Sequence, residues 1–223
     1  MSTKRKVSFR ALRILTYTIL AKAIIDAVML ACMLTGADGL LVVAQAIGFI
    51  NIIACVMCLV GIIGLSRKFV STFRIMVLVL IIACFTLLMI VLEIRMINKD
   101  INTAFAVETI ALVSFTAARL LIGAAFLFLM RGFGETLKEE DERSLAVAAE
   151  KLGVIYLCCN SAGAVIRAFA VEKGGIPLIA AAAIFDFVGI AIEILMYRRA
   201  YGAAYIIWRR RAFVAADGRT ITV

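Results

Sequence analysis

Six long apolar stretches run along the chain, at about 12–35, 40–65, 73–97, 104–131, 150–171 and 176–198. The second, Leu40–Leu65, is 26 residues without a single charge. At ~1.5 Å per helical residue it is long enough to cross a ~30 Å hydrocarbon core with some tilt. The third holds a run of 18 uncharged residues, Ile75–Leu92. The remaining four are each interrupted by charge, so apolar length alone does not assign them. The pattern predicts an all-α polytopic membrane protein of six transmembrane helices, arranged as three antiparallel hairpins joined by short loops.

The charges between the stretches supply the rest of the argument. If the chain alternates sides at every stretch, one side receives 18 of its 24 basic residues. These include Lys4, Arg5 and Lys6 before the first span, Arg67 and Lys68 after the second, Arg143 and Lys151 after the fourth, and Arg209, Arg210 and Arg211 near the end. The opposite connections carry few, and Gly36–Gly39 carries none that is basic. The positive-inside rule then places both termini in the cytoplasm, with anionic lipids at that face, and the bias fits a bacterial cytoplasmic (inner) membrane. A four-span arrangement would break this alternation.

Composition agrees with the pattern and narrows the function. Of 223 residues, 65% are hydrophobic and the mean hydropathy is +1.08, far beyond what a water-soluble domain carries. A net charge of +9 would suggest nucleic acid as a partner in a soluble protein. Here the basic residues sit at span ends and no soluble basic domain exists to bind it, so no nucleic-acid partner is expected. With one proline, Pro177, and no low-complexity linker, residues 1–223 read as a single domain. The first apolar run is too long for a signal-peptide core and reads as an uncleaved helix. Histidine is absent, which removes the commonest general base and metal ligand. The six cysteines all fall in apolar stretches and read as small buried side chains, including the C-x-x-C of Cys55 and Cys58. No cofactor and no metal site are expected.

Several local signals fall outside the spans. Thr136–Glu139 has the form of a capping box, followed by Glu140, Asp141 and Glu142. It predicts a helix start near Thr136 with Gly132 and Gly134 as the turn before it. Tyr197, Tyr201, Tyr205 and Trp208 share one helical stripe among arginines. They predict an amphipathic cytoplasmic tail at about 199–214 lying in the interface, the alternative being a long sixth span with an aromatic belt. The even-numbered spans each end in a late glycine, an apolar run and a basic stop, at Arg67, Arg131 and Arg198. Ala23, Ala27 and Ala31 in span 1 and Gly153, Ser161 and Gly163 in span 5 invite close helix contact.

Charges inside the spans carry the candidate chemistry. Lys22 and Asp26 are four apart in span 1 and share a helix face. Arg119 and Asp186 lie near the middle of spans 4 and 6. An unpaired charge at the bilayer centre costs roughly 2.5–3.5 kcal/mol on insertion scales, so each requires a partner or a function. Two positive and two negative groups can compensate one another as buried ion pairs. Polar neighbours point instead to a cavity: Gln45 and Asn51 in span 2, Ser114 and Thr116 in span 4, Asn160 and Ser161 in span 5, and Arg167 two turns after Asn160. The candidate binding set is Lys22, Asp26, Asn51, Arg119, Asn160, Arg167 and Asp186, with the ligand expected between spans 1, 4, 5 and 6. Glu93, Arg95, Glu108 and Glu172 lie towards the outer ends, and Glu193 near the inner end of span 6 beside basic residues.

No phosphate loop, zinc motif or nucleophile elbow occurs, so no catalytic residue is assigned and the chain is not expected to be an enzyme. Two classes of function remain. One is a small transporter, or the solute-binding subunit of one, built around the charged cluster. The other is a non-catalytic membrane partner, an assembly or regulatory subunit. An oligomeric channel is a third. Partners beyond lipid, whether a second copy of the chain or another membrane protein, are left open.

Overall fold

A computed structural model describes residues 8–96, 101–173 and 176–216. They form six long helices: α1 (Phe9–Thr35), α2 (Asp38–Ile63), α3 (Val70–Met96), α4 (Ile101–Glu139), α5 (Arg143–Lys173) and α6 (Ile176–Ala216). A single 3-10 turn, Arg67–Phe69, links α2 to α3, and no strand occurs among the described residues. Each helix contains a window long and apolar enough to cross a membrane. The chain is thus an all-α membrane protein with six transmembrane-capable helices, as the apolar pattern predicts.

The helices close into a ring. Each packs on its neighbours in the chain, and α1 packs on α6 to complete the circle. The antiparallel pairs α1–α2, α3–α4 and α5–α6 are all present, with α4–α5 packed as closely as any of them. Two glycines explain part of that closeness. A Cβ on Gly153 of α5 would stand 3.1 Å from the Leu127 Cα, so a side chain there would press the α4 backbone away by a few tenths of an ångström. A Cβ on Gly132 of α4 would stand 2.6 Å from the ring of Phe69, which is fully buried against it.

That ring contact also corrects a sequence expectation. Gly132 and Gly134 do not form a turn; α4 runs through both and ends at Glu139. Thr136 therefore lies inside the helix, its hydroxyl donating to the Gly132 carbonyl at 2.8 Å rather than capping a new start. The turn falls at Glu140–Glu142, where Asp141 takes φ 60°. Aspartate tolerates this left-handed conformation better than most side chains do. The Glu142 amide closes on the Leu137 carbonyl at 3.0 Å, and the Ala146 amide bonds the Glu142 carbonyl at 3.0 Å to begin α5. Between α1 and α2 the reversal is made by Gly36 at φ 68°, its N–H directed to the Cys32 carbonyl.

The chain after residue 198 also departs from expectation. It is not a separate helix: α6 continues unbroken to Ala216, and its membrane-length segment reaches Arg209. Ala200, Ala203, Ala204 and Ile207 are buried in the core, while Tyr201, Tyr205 and Trp208 face outward on the other side. Phe9 of α1 stacks on Trp208, with ring centroids 6.3 Å apart. Tertiary packing of the alanine face holds the segment on the bundle, and the aromatic residues form a belt on its outside. The basic residues Arg131 and Arg198 likewise lie within α4 and α6 and stop neither helix; of the three, only Arg67 follows a helix end.

Packing is uneven along the bundle axis. One contiguous core joins Leu12, Leu15 and Ile19 of α1 to Leu59 and Ile62 of α2, Leu129 and Phe133 of α4, Tyr156 of α5, and Met196 and Ala200 of α6. All of these lie in the half of the bundle that holds the chain ends, the 3-10 turn and the α4–α5 turn. The other half, towards the α1–α2 turn, is hollow. Large apolar side chains such as Leu34, Val42, Met57 and Phe187, each at least 66% exposed, cover the outside. An apolar exterior around a partly hollow, polar interior is the arrangement lipid requires of a spanning bundle.

Candidate functional site

The hollow half contains a cavity of about 220 Å³, lined by side chains from all six helices. Its walls are largely apolar, with Phe49 from α2, Phe115 from α4 and Phe185 from α6 among them. Lys22, Asp26, Asn51, Arg119, Asn160, Arg167 and Asp186 all line this one space. The structure thus brings together every member of the candidate set. Gln45 lines the cavity as well, whereas Ser114, Thr116 and Ser161 do not. Thr116 returns its hydroxyl to the Leu112 carbonyl at 2.9 Å on its own helix. The cavity also draws in α3, from which the sequence offered no candidate residue. The side chains of Glu93, Arg95, Glu108 and Glu172 lie outside the described residues.

The floor of the cavity is a charged group around Lys22. Its ammonium stands 2.5 Å from Asp26 Oδ2, one turn further along α1, and 2.8 Å from Glu193 Oε1 on α6. Tyr156 of α5 donates its hydroxyl to the same Glu193 oxygen at 2.6 Å. Glu193 is 1% exposed, and its second oxygen, Oε2, has no hydrogen-bond partner among the described residues. Phe126 lies near Lys22, 5.9 Å from the ammonium to the ring centroid, and stacks at a tilt on Tyr156. Burial in hydrocarbon is tolerable for Lys22 because two carboxylates and a ring face surround it.

Higher in the cavity, the charge balance reverses. Asp186 Oδ1 accepts from Arg119 Nη2 at 2.6 Å, and Oδ2 accepts from Nη2 of Arg167 on α5. The Nη1 of Arg167 turns to the Met33 sulfur at 3.3 Å. Asn160, 7% exposed, donates its amide to the Arg119 backbone carbonyl, tying α5 to α4 beside the charged group. Asn51 of α2 donates to the Thr18 carbonyl of α1 at 3.1 Å. Both asparagines therefore join helices to one another at the edge of the cavity, and each keeps its side-chain carbonyl as an acceptor.

Two members of the site carried weaker signals in the sequence. Glu193 lies close enough to the basic end of span 6 to read as an interfacial carboxylate. Its spacing of seven from Asp186 was the available clue, since two helical turns return a residue to the same face. Tyr156 lies four before Asn160 and eleven before Arg167, again on one face of α5. Glu193 completes the cavity charges as Lys22, Arg119 and Arg167 against Asp26, Asp186 and Glu193, a formal sum of zero.

Comparison of the chain with protein-family models, with curated proteins and with solved structures finds no match.

Proposed function

We propose that this chain binds a small polar solute within the membrane, as a small transporter or as the solute-binding subunit of one. The observation that carries the reading is the convergence of Lys22, Asp26, Arg119, Arg167, Asp186 and Glu193 on one cavity. Six charges used only to lock helices together need no empty space among them. Here they surround about 220 Å³. At a water's share of liquid volume, ~30 Å³, that is room for about seven water-sized groups.

The uneven packing supports an access direction. Solid core closes the half at the chain ends, and the hollow half lies towards the α1–α2 turn. With the termini in the cytoplasm, as the charge bias of a bacterial inner membrane protein implies, the cavity faces the outside. A solute captured there is released inward only if the core half opens or a partner subunit opens it.

Native mass spectrometry of the protein, extracted gently from its own membrane, tests this reading. A monomer or homo-oligomer carrying a stoichiometric small molecule is the expected result. A stoichiometric second polypeptide with no small molecule would overturn it in favour of an assembly or regulatory subunit. That second reading draws on the outward-facing Ala27 and Ala31 of α1, which leave a flat face for another helix.

A further inference from the structure

The six cavity charges are not mixed evenly. They separate into two poles along the bundle axis. Asp186 and Glu193 mark the two levels on α6, seven residues apart, which at ~1.5 Å per residue is about 10 Å. At the upper level two guanidinium groups, Arg119 and Arg167, share the single carboxylate of Asp186. Towards the floor two carboxylates share the single ammonium of Lys22: Glu193, and Asp26, which lies one turn above Lys22 on α1 and within electrostatic reach of Arg167. With all six ionised, the upper pole carries one positive charge in excess and the lower pole one negative.

Neither pole is satisfied by the protein's own groups. One carboxylate cannot occupy the donor forks of two guanidinium groups, so each arginine retains N–H donors for a second anion. At the floor, Glu193 Oε2 is buried without a partner among the described residues, and Asp26 is 29% exposed within the cavity lining. Between the poles the wall is apolar, with Ile122 of α4, three residues beyond Arg119 towards the floor, and Gly189 of α6, between Asp186 and Glu193. Fully self-compensated ion pairs would leave neither an excess of arginine above nor an orphaned carboxylate oxygen below.

Resting on the solute-binding reading above, we propose that the ligand is a zwitterion. Its anionic group sits on Arg119 and Arg167, its cationic group on Asp26 and Glu193, and its apolar body against Ile122 and Gly189. A solute so placed cancels the excess at each end while adding no net charge to the membrane interior, which an anion or a cation alone cannot do. Subtracting a charge-assisted contact of ~2.8 Å at each end from the ~10 Å between levels leaves about 5 Å between the ligand's charged groups. That is longer than the spacing in an α-amino acid. It matches an amine and a carboxylate separated by three or four methylenes.

The test uses the full-length protein in nanodiscs, with calorimetric titration and thermal shift read in parallel. The probes are 4-aminobutanoate and 5-aminopentanoate, each set against butanoate and butylammonium as single-charge counterparts. The expected result is that a zwitterion binds at least tenfold more tightly than either counterpart. The Arg167→Gln and Asp26→Asn variants, confirmed as folded by their melting in the absence of probe, then each lose tenfold or more of that affinity. Equal binding of butanoate or butylammonium overturns the zwitterion and leaves the solute-binding reading intact. So does a retained native solute that bears only one charge. Failure of every probe, with no retained molecule in the native mass spectrum, overturns both.

Discussion

Lys22 of α1 and Glu193 of α6 stand 2.8 Å apart and join the first and last helices where the ring of six closes. Every other neighbouring pair in the ring is also linked by a chain connection. The α1–α6 seam depends on side chains alone, and at its midpoint it depends on this ion pair.

Lys22→Met should therefore weaken the bundle more than an ordinary core substitution of equal volume. It leaves Glu193 buried without its counter-charge, a loss of roughly 3–5 kcal/mol for a broken buried pair. Adding Glu193→Gln to Lys22→Met should recover part of that loss, because the second change removes an uncompensated charge. Thermal unfolding of the two variants in the same detergent checks the order. A double variant less stable than Lys22→Met would show that the carboxylate contributes through Tyr156 rather than through Lys22.

Asp186 is held by two arginines, and the consequences of losing it separate function from scaffold. Asp186→Asn keeps hydrogen-bonding capacity but leaves Arg119 and Arg167 facing each other. The expected outcome is a protein that inserts and purifies but no longer retains its solute. Arg167→Gln in the same chain removes the excess charge and should restore melting temperature, with a coupling of about 1–3 kcal/mol between the two sites. If Asp186→Asn is degraded before it can be purified, the residue is structural, and the role assigned to the upper pole fails.

Gly132 and Phe69 make a sharper packing test. A methyl at Gly132 would meet the Phe69 ring at 2.6 Å, well inside contact distance. Gly132→Ala should destabilise by about 1–3 kcal/mol through overpacking, despite alanine's better helix propensity. Phe69→Leu in the same chain should return part of the loss. Stability of Gly132→Ala equal to the parent protein would mean that the 3-10 turn carrying Phe69 moves aside at little cost.

Orientation is open to direct chemistry. Ala37→Cys sits at the α1–α2 turn, beside the hollow half, and Asp141→Cys sits at the α4–α5 turn, beside the solid half. Both are introduced on a chain whose six native cysteines are replaced. In intact cells a membrane-impermeant maleimide should label Ala37→Cys and should reach Asp141→Cys only after permeabilisation. Labelling in the reverse order would put the termini outside and turn the cavity to the cytoplasm.

The sequence by itself determined the class and the count of helices. Apolar length and basic bias are one-dimensional properties, and lipid leaves a backbone of this composition little choice but helix. It also determined which residues are costly in the membrane, since Lys22, Asp26, Arg119 and Asp186 stand alone in apolar runs. Helix ends near residue 132 and beyond residue 198 were decided by packing. Gly132 reads as a breaker until Phe69 is seen to need its surface, and the segment after Arg198 reads as interfacial until its alanines are seen buried in the core. The partners of the charges were likewise a tertiary matter. Lys22 takes Glu193 from 171 positions away, and Asp186 takes Arg119 from 67. No local spacing encodes contacts of that separation, because they exist only once six helices have closed around a common axis. The distribution of the six cavity charges has the same origin: the zero sum of Lys22, Asp26, Arg119 and Asp186 is visible in the sequence, but the placement of charge along the axis depends on how far each helix is threaded into the bundle.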